Sequence, residues 1–427
     1  MADEIPALTD REQPGMQYWR QNLWVCLFGS FTTLCAMTLL LPFLPIYVAH
    51  LGVTSQAAVV QWSGVAFSAT FLAAALVAPL WGRLADRYGR KLTLMRASLG
   101  MAVAMSLIGL AQDVYQLVLF RLLAGLVGGY SSGAVILVAT QTPKERSGWA
   151  LGTLSTGALA GSLVGPLIGG VLPDLIGIRE TFFLAGGVIF VAFLATCLLI
   201  REAPATAGGA RARLGRGESA WALIPDRAPV LALLSTALLL MFANMSIEPV
   251  ITVYMGQLIH GGDRVVLMSG LAMSAAAFGS ILAAPLVGRL ADRVGPRSVI
   301  VGGLAAAGLL LVPQAFVNGA WQLVGLRFLM GIALGGLMPA ITSLIRHSVP
   351  DKVAGTVLGY TQSALYAGQV TGPLAGGFVG GHLGVPAVFG ASSLLLLAGA
   401  AWNRSFARPK AGAQAAGDTP PIEAGDQ

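Results

Sequence analysis

The chain repeats itself halfway along its length. The hexapeptide Gly-Arg-Leu-Ala-Asp-Arg stands at 82–87 and returns, letter for letter, at 288–293, a shift of 206 residues in a chain of 427. Further pairs recur at a shift of 206 or 207 residues, namely Arg121 and Arg327, Gly125 and Gly331, Gly165 and Gly372, Pro166 and Pro373, and Gly170 and Gly377. Self-similarity on this scale predicts a fold made of two copies of one unit.

Each unit is too apolar for a protein that folds in water. Charged residues make up 11% of the chain and hydrophobic residues 56%, which leaves too few charges to solvate a soluble surface of this size. Apolar stretches long enough to cross a bilayer core of about 30 Å lie near 23–48, 61–81, 92–111, 114–139, 149–171, 181–200, 229–259, 267–287, 298–316, 320–345, 354–379 and 386–402. The sequence therefore predicts an all-α polytopic membrane protein with twelve transmembrane helices in two parallel six-helix repeats.

The spans and the cations together predict the domains and their sidedness. We expect a cytoplasmic segment at 1–22, a six-helix bundle at 23–200, a cytoplasmic linker at 201–228, a second bundle at 229–402 and a disordered cytoplasmic tail at 403–427. Cytoplasmic loops carry the Lys and Arg excess of membrane proteins, and this orientation places 22 of the 26 Lys and Arg there. The net charge of +7 is then a topology signal, and we expect no nucleic-acid partner.

Several function classes lack the residues they need. The four Lys precede Leu, Glu, Val and Ala, so none belongs to a P-loop, which requires Ser or Thr at that place. We expect no ATP binding, no cofactor and no metal, because the three Cys and four His show no metal-ligand spacing. No span has an interior Asp or a central His for an intramembrane enzyme. Internal repeats without an ATP site favour a secondary carrier, for which one chain as a monomer would suffice.

The repeated hexapeptide opens a longer motif, Gly82-Arg-Leu-Ala-Asp-Arg-Tyr-Gly-Arg-Lys91, between the second and third spans. Gly82 allows close helix contact, and Asp86 can offer its carboxylate to a cation or to the amino end of a helix. The motif resembles motif A of the major facilitator superfamily. The resemblance implies a conformational switch at Gly82, Asp86, Arg87, Gly89, Arg90, Gly288, Asp292 and Arg293.

In that family the switch is expected to latch the outward-open state against the start of the eleventh helix. Pro296 stands where the first copy has Arg90, which predicts a weaker second switch. The alternative is a basic loop that only determines topology.

The fifth span carries glycine every fourth residue, which gives the helix one smooth face, and a Pro that removes a backbone hydrogen bond. This pattern resembles motif C of the same family, which is associated with drug:proton antiporters. The motif comprises Gly157, Gly161, Gly165, Pro166, Gly169 and Gly170, with Gly372 and Pro373 as counterparts in the eleventh span. The resemblance favours antiport over symport, although ordinary tight packing explains the glycines equally well.

Three charged residues lie within the spans, where ionisable side chains are costly and are candidates for function. Arg121 resembles the motif B arginine, which the family places in proton coupling, and Arg327 is its repeat equivalent. Glu248 is the carboxylate deepest in a span and directly precedes Pro249. Burial favours the neutral form of a carboxyl group unless a cation lies close, so Glu248 is a candidate proton carrier or a ligand for a cationic substrate. The alternatives are a snorkelling Arg121 and a Glu248 at the outer interface.

Polar and aromatic residues within the spans are candidates for the wall of a central substrate cavity, although aromatic residues in spans usually serve packing. They are Asn22, Phe31, Tyr47, Phe67, Phe71, Asn244, Tyr254, Phe278, Gln362 and Tyr366.

A closer resemblance covers nearly the whole chain outside the linker and the tail. The stretches 41–48, 96–101 and 147–157 look like the MdtG-type branch of bacterial multidrug efflux transporters. The resemblance implies a proton-coupled exporter of small amphiphilic compounds that works by alternating access in the bacterial inner membrane. Two alternatives stay open, a proton-coupled uptake symporter for a metabolite and a membrane sensor that transports nothing.

Overall fold

A computed structural model of the chain describes residues 16–202, 220–224, 227–260 and 264–405. All regular structure in these ranges is helical. The α-helices are α1 (Trp19–Leu39), α2 (Leu44–His50), α3 (Gln56–Tyr88), α4 (Arg90–Gly109), α5 (Val114–Val127), α6 (Tyr130–Gln141), α7 (Ser147–Ile176), α8 (Ile178–Leu199), α9 (Arg227–Leu258), α10 (Val265–Val294), α11 (Pro296–Gln314), α12 (Ala320–Leu334), α13 (Leu337–Ser348), α14 (Asp351–Leu383) and α15 (Val385–Ser405). Most of the predicted segments 1–22, 201–228 and 403–427 lies outside the described residues.

The predicted all-α membrane fold is confirmed. Within the described ranges, eleven of the twelve expected spans are helices long and apolar enough to cross a membrane. The remaining span is α14, which has 33 residues and the length to cross. It is less apolar than the others because it contains several Gln, Thr, Tyr and Gly residues.

Three spans that we predicted as continuous are interrupted. The fourth changes from α5 to α6 at Gly129, and the tenth changes from α12 to α13 at Gly336, with φ angles of +107° and +82°. These two glycines are one repeat apart, and only glycine adopts such angles without strain. The first span breaks between α1 and α2, around Pro42, which has no N–H to donate. Its repeat equivalent, Pro249, stays inside a continuous α9.

The motif C glycines allow two helices of the same bundle to pack closely. Gly157, Gly161 and Gly165 lie on the backbone of α1, where an added Cβ would come within 2.9 Å of the Leu27 carbonyl oxygen, 2.6 Å of the Phe31 oxygen and 2.6 Å of the Cys35 oxygen. Gly169 lies against the Leu39 carbonyl in the same way. In the second bundle Gly368, Gly372 and Gly376 of α14 lie on α9. Backbones approach this closely only where side chains are absent, as is usual between membrane helices.

Among the described residues, the contacts between the two bundles lie toward one end. We call the end that holds the start of α1 and the end of α15 the terminal face, and the opposite end the far face. In α3, Gly64 and Ser68 touch α14, but Leu72 and Leu76, further along the same helix face, are 44% and 72% exposed. In α10, Gly270 and Ser274 touch α7, whereas Phe278 and Leu282 are 49% and 51% exposed. The helices therefore diverge from the far face, and the space between the bundles opens at the terminal face.

Candidate functional site

The structure brings Glu248 and Arg327 together. Nη2 of Arg327 in α12 lies 3.3 Å from Oε1 of Glu248 in α9 and donates a hydrogen bond to it. Both side chains are buried. Glu248 is ten residues before the end of α9, and Arg327 is seven residues after the start of α12, so the pair lies in the far-face half of the second bundle.

The pair is only partly satisfied. Oε2 of Glu248 and Nε of Arg327 are buried and make no hydrogen bond to any described residue. The only further hydrogen bond from the guanidinium to a described residue is weak, from Nη1 of Arg327 to Sδ of Met330 at 3.8 Å. A buried ion pair offsets the cost of removing its two charges from water only when the remaining donors and acceptors are hydrogen-bonded as well. Protonation of Glu248 would therefore change the free energy of this buried site more than protonation changes the free energy of a solvent-exposed ion pair.

Arg121 occupies the equivalent place in the first bundle and has different neighbours. Its Nε donates to the carbonyl oxygen of Ala66 at 3.2 Å, and its Cζ lies 5.6 Å from the centre of the Phe67 ring. Among the described residues no carboxylate pairs with it. Arg121 is buried, which argues against the alternative of a snorkelling arginine.

Hydrogen bonds between the bundles occur in the far-face half. The Ser68 hydroxyl donates to the Val370 carbonyl at 2.6 Å, and the Ser274 hydroxyl donates to the Leu163 carbonyl at 2.8 Å. The Thr252 hydroxyl donates to the Pro42 carbonyl at 3.0 Å. These bonds lie at about the same depth as Glu248 or further toward the far face, so the ion pair is separated from the far-face solvent by the contact between the bundles.

The predicted cavity residues fall into two groups. Asn22, Tyr47, Phe67 and Tyr254 are buried within the bundles and do not face the opening, contrary to expectation. Asn22 donates to the Arg201 carbonyl at 2.9 Å, Tyr47 donates to the Ile108 carbonyl at 2.6 Å, and Tyr254 packs against Phe389. The remaining six are at least partly exposed, namely Phe31, Phe71, Asn244, Phe278, Gln362 and Tyr366.

Three of these six are clearly placed along the opening. Tyr366 and Gln362 continue the face of α14 that holds Val370, and Phe278 continues the face of α10 that holds Ser274. Each is one or two turns further from the far face than its neighbour in the contact. These side chains lie where the bundles diverge, which is where a compound entering from the terminal face would first meet them.

The motif A loop is held by a residue that we did not predict. Gly89, with φ +93°, joins α3 to α4. The carboxylate of Glu202 accepts hydrogen bonds from the backbone N–H groups of Arg90, at 2.8 Å, and Lys91, at 2.6 Å. An anion at the amino end of a helix is favourable, and capping a helix in this way was one of the two roles that we considered for Asp86. The side chain of Asp86 lies outside the described residues.

In the second copy of motif A, α11 begins with Pro296, which has no N–H and needs no acceptor. Asp292 and Arg293 are exposed, and Gly82 and Gly288 have open space in front of them. Arg87 lies over the Tyr88 ring at 5.3 Å.

Two further side chains missed from the sequence support the broken fourth span. Nη1 of Arg96 donates to the carbonyl oxygens of Val127, at 2.8 Å, and Gly128, at 3.2 Å. Its Cζ lies 3.5 Å from the Trp81 ring centre, and Trp81 donates to the Leu126 carbonyl at 2.7 Å. A continuous helix would satisfy these carbonyls itself, so the signal for both residues was the Gly128-Gly129 pair, which we read as part of an unbroken span.

Comparison with known proteins identifies the family. The model of the Major Facilitator Superfamily matches residues 26–269 and 265–424. The multidrug resistance protein MdtG of Enterobacter lignolyticus is 42% identical over 385 residues, which cover 90% of this chain and 92% of that protein. MdtG of Proteus mirabilis is 40% identical over 379 residues, covering 88% and 93% of the two chains.

Solved structures share the fold at low identity. A bacterial homologue of the human lysosomal transporter Spinster, in an inward-facing and unoccupied conformation, superimposes with a TM-score of 0.73 at 15% identity over 90% of this chain and 96% of that one. A point mutant of the nucleoside transporter NupG gives a TM-score of 0.74 at 14% identity over 91% of this chain and 100% of that one. The repeated halves, the helical membrane fold, the family model and the MdtG relatives agree, and the chain belongs to the Major Facilitator Superfamily as a transporter, not an enzyme.

Proposed function

We propose that this transporter exports small amphiphilic compounds in exchange for protons, by alternating access, across the bacterial inner membrane. The observation that carries the proposal is the buried pair of Glu248 and Arg327, the ion pair at the core of the second bundle. Glu248 can be charged while it is paired with Arg327, or it can be neutral once the pair has separated. Such a change of protonation state is a chemical basis for proton coupling.

The coupling follows from the energy of the pair in its two charge states. Protonation of Glu248 would leave Arg327 as a buried cation without a counter-ion, and breaking a buried pair in this way costs about 3–5 kcal/mol. A conformation that hydrates Arg327 would relieve part of that cost. Since each conformation then prefers one protonation state, proton binding and the conformational change are linked.

The position of the pair suggests the direction of access. In the conformation described here the bundles touch at the far face, and Thr252 of α9, one turn beyond Glu248, is bonded to Pro42 of the first bundle. Separation of the bundles at the far face would break this bond and admit water near Glu248. If the terminal face is cytoplasmic, as the distribution of Lys and Arg predicts, protons would reach Glu248 from the periplasm.

The substrate class rests on the wall of the opening and on the relatives. Phe278, Tyr366 and Gln362 offer aromatic and amide groups and no charge, a combination that suits varied amphiphiles better than a single charged metabolite. The MdtG relatives are named multidrug resistance proteins. Export of drugs is therefore preferred over metabolite uptake.

The test is proton-linked flux in sealed proteoliposomes that contain the purified protein. A pH step should drive uptake or release of a loaded cationic dye, and addition of substrate should move protons in the opposite direction. Glu248→Gln should abolish substrate-driven proton movement. Glu145→Gln, which removes an exposed acid from the terminal face, is the matched control and should behave as the parent protein.

Substrate movement without any linked proton flux in the parent protein would contradict antiport. Proton flux that survives Glu248→Gln would move the proton site elsewhere. Proton and substrate moving in the same direction would support the uptake reading instead.

A further inference from the structure

Two hydrogen bonds between the bundles are repeat copies of each other. Ser68 donates to Val370 and Ser274 donates to Leu163, at 2.6 and 2.8 Å. The donors are 206 residues apart and the acceptors 207, the same shifts that relate the two halves of the sequence. One bond joins α3 to α14, and the other joins α10 to α7.

We propose that Ser68 and Ser274 are gate residues, whose hydroxyl groups hold the far-face contact closed and thereby set the balance between the two open conformations. The proposal rests on transport by alternating access. It does not depend on which compound is carried or on whether protons are coupled.

The surroundings of each serine explain why a single hydroxyl matters there. Toward the far face, Gly64 lies against the Pro373 carbonyl and Gly270 against the Pro166 carbonyl, so the backbones touch without side chains between them. Toward the terminal face the next turns are exposed. Each serine therefore makes the last polar link before its pair of helices diverges, where the two conformations differ most in what the hydroxyl can bind.

The acceptors lie in turns that a proline has weakened. Pro373 cannot donate to the Gln369 carbonyl, and Pro166 cannot donate to the Ser162 carbonyl. The carbonyls of Val370 and Leu163, which the serines use, are the next ones along the chain. Each serine therefore bonds beside a carbonyl that has lost its helical donor, in the turn that the proline loosens.

Other bonds across the far face lack a repeat copy. Thr252 donates to Pro42, but the counterpart of Thr252 is Pro45, which has no side-chain donor. Gln61 contacts His382 at 3.1 Å, whereas Leu267 and Leu175 stand at the equivalent places. Among the hydrogen bonds between described residues of the two bundles, only those of Ser68 and Ser274 form a repeat-related pair. They link α3 to α14 and α10 to α7 in the same way.

The chain supplies a matched control. Ser63 and Ser269 are also one repeat apart and stand on the same two helices, fully buried. Their hydroxyls donate within their own helices, to the carbonyls of Val59 and Val265, at 2.7 Å each. Their removal changes helix composition as much as removal of Ser68 and Ser274 does, but it breaks no bond between the bundles.

The experiment measures distances between spin labels on the full chain in lipid nanodiscs, without substrate or proton gradient. One label pair, Glu145→Cys with His347→Cys, reports the terminal face, and the other, Thr54→Cys with Gln257→Cys, reports the far face; all four sites are exposed. Cys197→Ser removes the partly exposed native thiol, while Cys26 and Cys35 are buried.

Ser68→Ala and Ser274→Ala should each raise the ratio of far-face-open to terminal-face-open molecules by about twofold to tenfold, the usual effect of one net hydrogen bond. The two single variants should have similar effects, and the double variant should multiply them. Ser63→Ala with Ser269→Ala should leave both distance distributions unchanged.

Distributions in the double variant that match those of the parent protein would overturn the proposal, and so would an equal shift in the Ser63 and Ser269 control. Thermal unfolding of each variant distinguishes a moved equilibrium from a damaged fold, and the single variants keep the test open if the double variant does not fold. A shifted equilibrium together with failed proton coupling would refute the proposed antiport and leave the gate assignment intact.

Discussion

Arg121 and Arg327 occupy equivalent places in the two halves and serve in different environments. Arg327 faces the carboxylate of Glu248, whereas Arg121 faces a backbone carbonyl and an aromatic ring. The repeat counterpart of Glu248 is Leu41, and that of Phe67 is Met273. Among the described residues, the second half thus holds a buried carboxylate beside its arginine, whereas the arginine of the first half faces none. We therefore expect the titratable group of the proposed coupling in the second bundle.

We expect the largest effect on stability from replacing Arg327. Arg327→Gln leaves Glu248 buried without its cation, so we expect the free energy of unfolding to fall by about 3–5 kcal/mol. Arg121→Gln strands no charge and should cost about 1–2 kcal/mol. Thermal unfolding in detergent measures both.

The double variant Glu248→Gln with Arg327→Gln is the control for this prediction. It should recover most of the lost stability, because no unpaired charge remains, while proton coupling stays absent. Equal losses for the two arginine variants would contradict the difference between the halves.

The broken spans offer the next comparison. Arg96 of α4 donates to two carbonyls at the break in the fourth span. Its repeat counterpart in α11 is Gly302, which has no side chain to do the same at the break in the tenth span. Arg96→Leu should lower stability by about 1–3 kcal/mol, since the half-buried carbonyls of Val127 and Gly128 lose their donor. Hydrogen exchange should rise around Gly129 and stay unchanged around Gly336.

Arg83→Leu, on an exposed part of α3, is the control for Arg96→Leu and should have little effect. Faster exchange at both breaks after Arg96→Leu would show that the two are coupled through the bundle contact, contrary to the prediction.

The smallest effect is expected from the glycines at the breaks. Gly129→Ala should cost about 1–2 kcal/mol, because an alanine resists the left-handed conformation. Gly336→Ala should cost more, since its methyl group would also meet the Val287 side chain at 2.8 Å, while the nearest atom to an added Cβ at Gly129 is Ser132 Oγ at 3.7 Å. Chemical or thermal unfolding of the two variants gives the order, and the reverse order would contradict the packing difference.

The sequence was sufficient to predict features that repeat. The fold class and the positions of the spans followed from hydropathy and from the doubled hexapeptide, because the thickness of a bilayer determines the length of a span. A smooth, closely packed face on the fifth span followed from glycine spacing, but its partner, the first span, did not. The signal for Ser68 and Ser274 was also present, as a serine at the same repeat position in both halves. Ser63 and Ser269 show the same signal and bond only within their own helices, so the sequence does not distinguish the two pairs.

Other parts of the site depend on tertiary distance, which one sequence does not contain. Glu248 and Arg327 are 79 residues apart, and no local pattern pairs them. Glu202 reaches the start of α4 from the end of the sixth span. Asn22 and Tyr47 looked like cavity residues because they are polar groups in apolar spans, but inside a bundle such groups bond to neighbouring backbone.

Four glycines near the terminal face have no neighbour within 4 Å of an added Cβ, namely Gly148 and Gly152 of α7 and Gly355 and Gly359 of α14. Larger side chains at these positions have room in this conformation, so a screen for expression or thermal stability would count such variants as neutral. In the proposed alternating-access cycle, however, these helix ends approach each other in the other conformation. A mutational map based on folded yield alone would therefore overlook glycines that the proposed cycle requires for close helix contact.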